Sequence, residues 1–255
     1  MKSFDQITQS LLKFESVGLD KAKLIKLEDR VDHKFICPVS LLPAIFKECY
    51  NEYSAVELNS KRWAKYNNLY FDTKNHSLYH QHHSGKLNRY KIRIRTYLES
   101  GDSFLEIKSR TNKGRTQKVR TQINSNIIDD NAKAIIYNNT GINFEELSPA
   151  IAIAYNRITL ININRSERVT IDFDIKFKRE NIEKGIENLA IIEIKQKTSE
   201  NSNLKNILHL HNIMEGSISK YCLGISQMIP NIKQNLFKEQ HLQIHKLVEN
   251  GNRIN

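Results

Sequence analysis

The alternation of charged and apolar residues in the segment 90–95, Tyr-Lys-Ile-Arg-Ile-Arg, most restricts what this chain can fold into. Side chains of a β-strand point alternately to opposite faces, so Lys91, Arg93 and Arg95 share one face while the two isoleucines share the other. A single strand of this kind is typical of a sheet with one buried apolar face and one charged face in water. By itself, the segment predicts a strand and no function.

The same alternation recurs in several other segments of the chain. It is present at 104–110, 118–120, 168–174 and 191–197. Several such strands predict an antiparallel sheet that curls until its charged faces converge, with helices covering the apolar outside. Like charges gathered away from bulk water are costly, so this interior needs an anionic guest. We therefore predict an α+β fold, an antiparallel β-barrel with flanking helices.

Composition restricts the class of binding partner and the cellular compartment that we expect for this protein. The 255 residues carry a formal net charge of +11, which favours a polyanionic partner such as a nucleic acid, a phosphate compound or an anionic membrane surface. The three cysteines, Cys37, Cys49 and Cys222, form no CxxC pair, so we expect a reducing compartment without disulfides or a zinc knuckle. Since no apolar run has the length of a membrane span and no signal-peptide core is present, the expectation is a cytoplasmic protein.

Hydrophobic periodicity and turn residues predict the order of elements. The first 28 residues read as a helix followed by a basic link. Strands are predicted over 28–37, 65–73, 88–98, 103–110, 115–125, 150–163, 168–178 and 189–197. Helices are predicted over 40–50, shortly after 73, and over 127–138, 204–211 and 220–228, with an amphipathic tail from Leu236. This divides the chain into an N-terminal helix and link (1–27), a β-rich domain (28–230) and a helical tail (231–255).

Several common site motifs are absent. The sequence has no GxxxxGK[ST], GxGxxG or GxSxG pattern and no kinase signature, so any phosphate would be bound by side chains and not by a glycine-rich loop. His76 and His80 are one helical turn apart, but no cysteine or HExxH pattern accompanies them, and a solvated helix face is the better interpretation. The same holds for His241 and His245.

Eight short motifs, taken in order, resemble the vacuolar transporter chaperone (VTC) domain. They are Lys34, Tyr-Phe-Asp-Thr at 70–73, Lys-Ile-Arg-Ile-Arg at 91–95, Phe-Leu-Glu-Ile-Lys at 104–108, Tyr-Asn-Arg-Ile at 155–158, Arg-Val-Thr-Ile-Asp at 168–172, Ile-Glu-Ile-Lys at 192–195 and Ser-Lys-Tyr at 219–221. The resemblance covers roughly residues 28–230. It implies membership of the triphosphate tunnel metalloenzymes, whose antiparallel barrel has a charged lumen.

The resemblance implies an ATP-dependent polyphosphate polymerase, which transfers the γ-phosphate of ATP to a growing polyphosphate chain with Mn²⁺ or Mg²⁺. It implies that basic residues line the tunnel, namely Lys34, Arg93, Arg95, Lys108, Lys118, Arg157, Arg168 and Lys220. Four of them, Arg93, Arg95, Arg157 and Lys220, are the expected catalytic residues. Ser219 would also contact phosphate, Tyr155 would lie beside the nucleotide phosphates, and Glu193 would hold the metal. Nucleic acid is not an expected partner, and association with a membrane through a partner protein is left open.

The chain departs from the family pattern at two places. Active polymerases tend to carry a further basic residue where this chain has Ser217, and the hydrolytic branch opens with two carboxylates where this chain has Arg30, Asp32 and Lys34. Two alternatives therefore stay open. One is a non-catalytic module that binds polyphosphate, inositol phosphate or RNA, and the other is a metal-dependent triphosphatase.

Acidic residues on the same strands have a purely structural interpretation as well. Glu106 with Lys108, and Glu193 with Lys195, have the spacing of simple ion pairs on a sheet. Asp172 and Asp174 fit either further metal ligands or partners of lysines. Tyr70 and Phe71 are expected in the core.

Overall fold

The computed structural model describes residues 2–23, 30–112, 116–124, 127–162, 164, 167–197 and 201–251. Residues 28, 29, 115, 125 and 163, which the predicted strands include, lie outside the described residues, as does the predicted boundary at 27/28. The N-terminal segment is helix α1 (Lys2–Leu11), strand β1 (Glu15–Gly18) and the short helix α2 (Leu19–Lys23). Strand β1 was not predicted, because a four-residue strand is too short to show alternation.

The remaining elements match the predicted order closely. The strands are β2 (Arg30–Pro38), β3 (Ser54–Glu57), β4 (Ala64–Thr73), β5 (Arg89–Tyr97), β6 (Ser103–Arg110), β7 (Thr116–Ile123), β8 (Leu147–Asn162), β9 (Glu167–Arg179), β10 (Ile182–Ile186) and β11 (Leu189–Lys197). The helices are α3 (Leu42–Cys49), α4 (Ser77–His83), α5 (Asp130–Thr140), α6 (Asn203–Leu210), α7 (Lys220–Met228) and α8 (Lys238–Gly251). Short 3₁₀ turns lie at Val39–Leu41, Phe144–Glu146 and Asn235–Phe237. Strands β3 and β10 were not predicted.

One curled sheet organises the molecule. Its strand order is β2-β11-β9-β8-β4-β5-β6-β7, and every neighbouring pair along this path is antiparallel. Strand β10 forms a hairpin with β9, while β3 pairs with β8 and, in parallel, with β1. Among the described residues β2 and β7, the two ends of the path, do not pair with each other, so the sheet is a half-barrel. The predicted α+β fold is confirmed.

Helices cover the convex, apolar face of the sheet in two places. Isoleucines such as Ile171 and Ile192 pack with α1, α3 and α6, and Ile92 and Ile107 pack with Ala132 of α5. This burial is the reason for the alternation in sequence, because each strand places its apolar residues under a helix. Asp129 begins α5 by accepting a hydrogen bond from the backbone N–H of Ala132.

A third helix, α7, packs on the concave face at one end of the half-barrel. Ile36 and Ile191 lie two residues from Lys34 and Glu193, so they share the concave face, and they belong to one buried cluster with residues of α7. Gly224 of α7 permits this close approach, since a Cβ there would lie 2.6 Å from a side-chain carbon of Ile151. Ile244 of α8 joins the same cluster. No helix in the described part of the chain combines the length and apolarity needed to cross a membrane.

Candidate functional site

Beyond α7, the concave face of the sheet carries the charged residues of the alternating strands. We call this set the charged interior: Lys34, Lys91, Arg93, Arg95, Glu106, Lys108, Lys118, Arg120, Arg157, Asp172, Glu193, Lys195 and Lys220. Strands β5 and β9 are connected across this face through the start of α7, because Lys91 donates to Ser219 and Lys220 lies 2.5 Å from Asp172. Ten basic side chains in this set face three carboxylates. This positive excess favours an anionic ligand.

Glu106 pairs with basic residues of strands β5 and β7, which with β6 form one wall of the interior. The side chain of Glu106 is only 2% exposed. Arg93 donates to its Oε2 from Nε at 2.9 Å and from Nη2 at 2.6 Å, and the Lys118 ammonium lies 2.5 Å from its Oε1. Burial alone would raise the pKa of Glu106, but Arg93 and other nearby cations hold it well below its usual value. Glu106 is therefore a buried, ionised counter-ion.

Asp172 has the same role on the other wall. Arg157 donates to its two oxygens at 2.6 and 2.7 Å, and the Lys220 ammonium of α7 lies 2.5 Å from Oδ2. Burial opposes ionisation, yet Arg157 and Lys220 lower the pKa of Asp172 to about 2. Of the two interpretations of Asp172, partner of basic residues is the one that the contacts support. Asp174 instead accepts a hydrogen bond from Asn156.

Glu193 differs from these two carboxylates because both of its partners are lysines. Lys34 lies 3.1 Å and Lys195 2.5 Å from its oxygens, and its side chain is 20% exposed. Burial alone would raise the pKa of Glu193, but the effect of the two lysines is larger and keeps that pKa well below the usual value. The ion pair of Glu193 with Lys195 is thus present. Glu106 and Lys108, by contrast, do not form an ion pair with each other among the described residues.

The interior offers limited support for a divalent metal. In the described ranges no three His, Cys, Asp or Glu side chains form a group that could hold one. Glu193 nevertheless lies opposite Thr170, whose buried hydroxyl has no hydrogen-bond partner among the described residues. Mg²⁺ and related hard cations are often held by one or two protein oxygens together with substrate phosphates. These residues fit a metal in that manner only.

Three lysines form a row across β5, β6 and β7, where Lys91, Lys108 and Lys118 are direct cross-strand neighbours. Like charges in this arrangement destabilise a sheet. The charge of Lys118 is balanced by its ion pair with Glu106, and Lys91 donates a hydrogen bond to the Ser219 hydroxyl at 2.8 Å. Lys108 has no carboxylate within ion-pair distance in the described part of the chain. Its side chain is exposed to solvent on the concave face, but partial desolvation by the surrounding strands and the nearby cations lower its pKa to about 8. A ligand phosphate would supply the missing negative charge.

The structure brings most of the predicted site residues together. Those that meet in or beside the charged interior are Lys34, Arg93, Arg95, Lys108, Lys118, Tyr155, Arg157, Glu193, Ser219 and Lys220. The Tyr155 hydroxyl accepts a hydrogen bond from Arg95, and Ser219 begins α7 by accepting from the N–H of Cys222. Arg168 lies farther along β9, where its guanidinium donates to the carbonyl of Ala22.

Sequence reasoning left several site residues out of the predicted set. Alternation had placed Lys91 on the charged face with Arg93, although Lys91 was not named as a site residue. Lys195 lies two residues from Glu193, so alternation could have identified it in the same way. Tyr70 was assigned to the core, and it is buried there, but its hydroxyl also accepts a hydrogen bond from Arg93 at 2.7 Å. Tyr66 stacks on Tyr155 with ring centroids 5.5 Å apart. Nothing in the sequence marks these two tyrosines as site residues.

Solved structures with a similar fold are only distantly related to this chain. A proposed adenylate cyclase from Vibrio parahaemolyticus is 13% identical, with a TM-score of 0.47, over 78% of this chain and 99% of its own. A proposed adenylyl cyclase from Hippeastrum, described as having a dominant triphosphatase activity, is 14% identical, with a TM-score of 0.47, over 79% and 98%. A protein of Pyrococcus horikoshii is 12% identical, with a TM-score of 0.43, over 77% and 99%.

Family membership follows from the sequence. None of the curated proteins compared with the chain matches it. The family described as VTC domain matches residues 29–229, which is most of the chain and includes every strand from β2 to β11 as well as Ser219 and Lys220. The chain therefore belongs to the VTC domain family.

Proposed function

We propose that this protein is a polyphosphate polymerase that binds ATP and a polyphosphate end in the charged interior and transfers the γ-phosphate of ATP to that chain. The observation that carries the proposal is the excess of positive charge on the concave face. Ten basic side chains face three carboxylates, and each carboxylate is already ion-paired. Asp32, which lies 3.8 Å from Lys195 at the edge of this set, adds a fourth acid and leaves the excess strongly positive. A chain of phosphates is the ligand whose charge and length fit this face.

The arginines are suited to hold the reacting phosphate. Phosphoryl transfer proceeds through a loose transition state with charge spread over the equatorial oxygens, so catalysis is mostly positioning and electrostatic stabilisation. Glu106 and Asp172 fix the planes of Arg93 and Arg157 through paired hydrogen bonds. A guanidinium has five N–H donors, so each arginine keeps donors for phosphate oxygens.

The lysines would hold the rest of the phosphate chain. Lys91, Lys108 and Lys118 follow one another across three strands about 5 Å apart, as neighbouring strands are spaced. Lysine ammoniums act as point charges on flexible stems and so tolerate phosphates in several positions. That tolerance suits a chain that must advance after each addition. The acceptor phosphate is already ionised near neutral pH, so the reaction requires no strong general base.

A divalent ion, when bound, would neutralise charge on the transferring phosphate. Glu193 and the hydroxyl of Thr170 are the residues that would hold it. Lys34 and Lys195 occupy the Glu193 oxygens and would turn toward phosphate when the ion binds. Mn²⁺ and Mg²⁺ both suit such oxygen ligands.

A non-catalytic polyphosphate-binding module is the second candidate function. Ser217 favours it, because this position carries no basic side chain and its carbonyl accepts a hydrogen bond from Gln240 of α8. A triphosphatase has less support, since Arg30 pairs with Asp32 at 3.2 Å where that branch has a second carboxylate.

One assay separates the three candidates. Purified protein is incubated with ATP and Mn²⁺, and the products are resolved on a gel stained for polyphosphate, while tripolyphosphate affinity is measured by calorimetry. A polymerase yields a ladder of polyphosphate that grows with time. Tripolyphosphate binding without any ladder would indicate the binding module, and release of single phosphates would indicate a triphosphatase. Absence of tripolyphosphate binding would contradict the proposed use of the interior.

A further inference from the structure

Two of the motif residues have no role in the function proposed above, although contacts connect them to the charged interior. Asp72 of β4 is fully buried. Its carboxylate accepts hydrogen bonds from the backbone N–H groups of Leu78 and Tyr79 in the first turn of α4, at 2.9 and 3.0 Å. It also accepts the hydroxyl of Tyr221 from α7. One carboxylate thus joins β4, α4 and α7.

The ring of Tyr221 continues this connection toward the site. It stacks on Tyr70 with centroids 5.0 Å apart and an angle of 24° between the rings. The Tyr70 hydroxyl in turn accepts a hydrogen bond from Nη1 of Arg93. Burial and the nearby Asp72 raise the pKa of Tyr221 well above its usual value, so its phenol stays protonated and donates. Contacts therefore run unbroken from Asp72 to the guanidinium of Arg93.

The position of Tyr221 in the chain adds a second connection. It directly follows Ser219, whose hydroxyl accepts a hydrogen bond from Lys91, and Lys220, whose ammonium pairs with Asp172. Holding the Tyr221 ring therefore also holds the first turn of α7. We infer that Asp72 and Tyr221 are positioning residues, which keep Arg93 and the start of α7 in the geometry that phosphate binding needs. This inference rests on the proposed use of the interior for phosphate.

The chain contains a matched control for this pair. Tyr53 donates its hydroxyl to Glu167 at 2.5 Å, and both residues are buried. Tyr53 lies in the core on the convex face, with α1, α3 and α6, and not in the cluster that contains α7. Tyr53→Phe and Tyr221→Phe therefore each remove one hydroxyl from a buried tyrosine–carboxylate pair, but only Tyr221→Phe lies next to the charged interior.

Tripolyphosphate affinity by calorimetry and the melting temperature are compared for wild type, Tyr221→Phe and Tyr53→Phe. We expect both variants to melt a few degrees lower, since each loses a hydrogen bond to a charged group. Only Tyr221→Phe should weaken tripolyphosphate binding, by about tenfold, because displacing Arg93 or the start of α7 would cost about one charge-assisted contact to phosphate. Equal weakening in both variants, or unchanged binding by Tyr221→Phe, would overturn the inference.

Hydrogen exchange at the start of α7 gives a readout that needs no ligand. We expect faster exchange at residues 222–225 in Tyr221→Phe and unchanged exchange there in Tyr53→Phe. Asp72→Ala combined with Tyr221→Phe should be no more severe than Asp72→Ala alone, because the Tyr221 hydroxyl has then already lost its acceptor. Unchanged exchange in Tyr221→Phe overturns the positioning role. Failure of wild type to bind tripolyphosphate instead contradicts the proposed function, and the exchange data still decide whether Tyr221 holds α7.

Discussion

The carboxylates of the charged interior are held in two different ways. Glu106 and Asp172 are 2% and 3% exposed at the side chain, and each receives two hydrogen bonds from one arginine. Glu193 is 20% exposed and is held by two lysines. An arginine fork fixes a carboxylate in one geometry, whereas a lysine can turn away when a competitor arrives. Two of the three acids are therefore structural counter-ions, and Glu193 is the one whose partners a ligand can replace.

The largest effect is expected from breaking a buried arginine pair. Arg157→Ala leaves Asp172 buried with Lys220 as its remaining ion-pair partner among the described residues, and we expect the free energy of unfolding to fall by about 3–5 kcal/mol. Denaturant unfolding measures this. Arg30→Ala is the control, because the pair of Arg30 with Asp32 is exposed and should contribute less than about 1 kcal/mol.

A double variant shows how much of that loss comes from the orphaned charge. Arg157→Ala with Asp172→Asn removes both charges, so a large part of the lost stability should return. Tripolyphosphate binding should stay weak in the double variant, because the guanidinium that we propose binds phosphate is still absent. Recovery of binding together with stability would contradict the proposed role of Arg157 in holding phosphate.

The next effect tests the difference between Glu193 and Glu106 directly. Glu193→Gln should lower Mn²⁺-dependent synthesis by about a hundredfold, since metal stabilisation of transition-state charge is worth several kcal/mol. Tripolyphosphate affinity in the absence of metal should be unchanged or higher, because Lys34 and Lys195 are released. Glu106→Gln should instead destabilise the fold, as Arg93 and Lys118 lose their counter-ion. Metal-dependent synthesis at the wild-type rate in Glu193→Gln would assign the ligand role to another residue.

Much of this site follows from strand alternation, which fixes the face of a side chain but not its partner. Alternation placed Arg93 and Arg95 on one charged face, the family resemblance added Lys34 and Arg157, and the structure brings these residues together. It left open whether Asp172 binds metal or a basic residue, because Arg157 is 15 residues away and meets it only through the β8–β9 register. Sequence patterns do not specify such pairings between distant residues.

The fold was predictable where elements are long and periodic. The eight predicted strands are present, because each buries a row of apolar residues under a helix or another wall of the sheet. The short strands β1 and β3 were missed, since each has four residues and forms through parallel pairing between Ser16 and Ala55 and their neighbours. The closure of one end by α7 depends on Gly224 meeting Ile151, a contact that no periodicity reveals.

A smaller effect is expected from pH, through Lys108. Its pKa of about 8 lies below the ordinary value of 10.5, so Lys108 loses its charge as the pH rises through 8. Bound phosphate would raise that pKa again, so binding takes up a proton, and tripolyphosphate affinity should fall about tenfold between pH 7 and 9. Lys108→Arg stays charged over this pH range, so it should not show this part of the pH dependence. Comparing the two proteins also removes the contribution of ligand titration, which is the same for both. Identical pH profiles of the two proteins would exclude Lys108 from the phosphate site.

The smallest effect is expected outside the charged interior, and it separates a tunnel from a basic surface. Lys21 of α2 and Lys246 of α8 are exposed, and no ion pair involves either of them among the described residues. If phosphate binds on the concave face, Lys21→Ala and Lys246→Ala should each change tripolyphosphate affinity by less than about twofold, while Arg93→Ala weakens it about ten- to hundredfold. A protein that binds polyanions over its whole surface would behave differently, because each basic residue would contribute a similar, salt-sensitive share. Calorimetry on the three variants at low and high salt decides between these outcomes. A uniform loss across all three would contradict binding in the interior, whatever the synthesis assay shows.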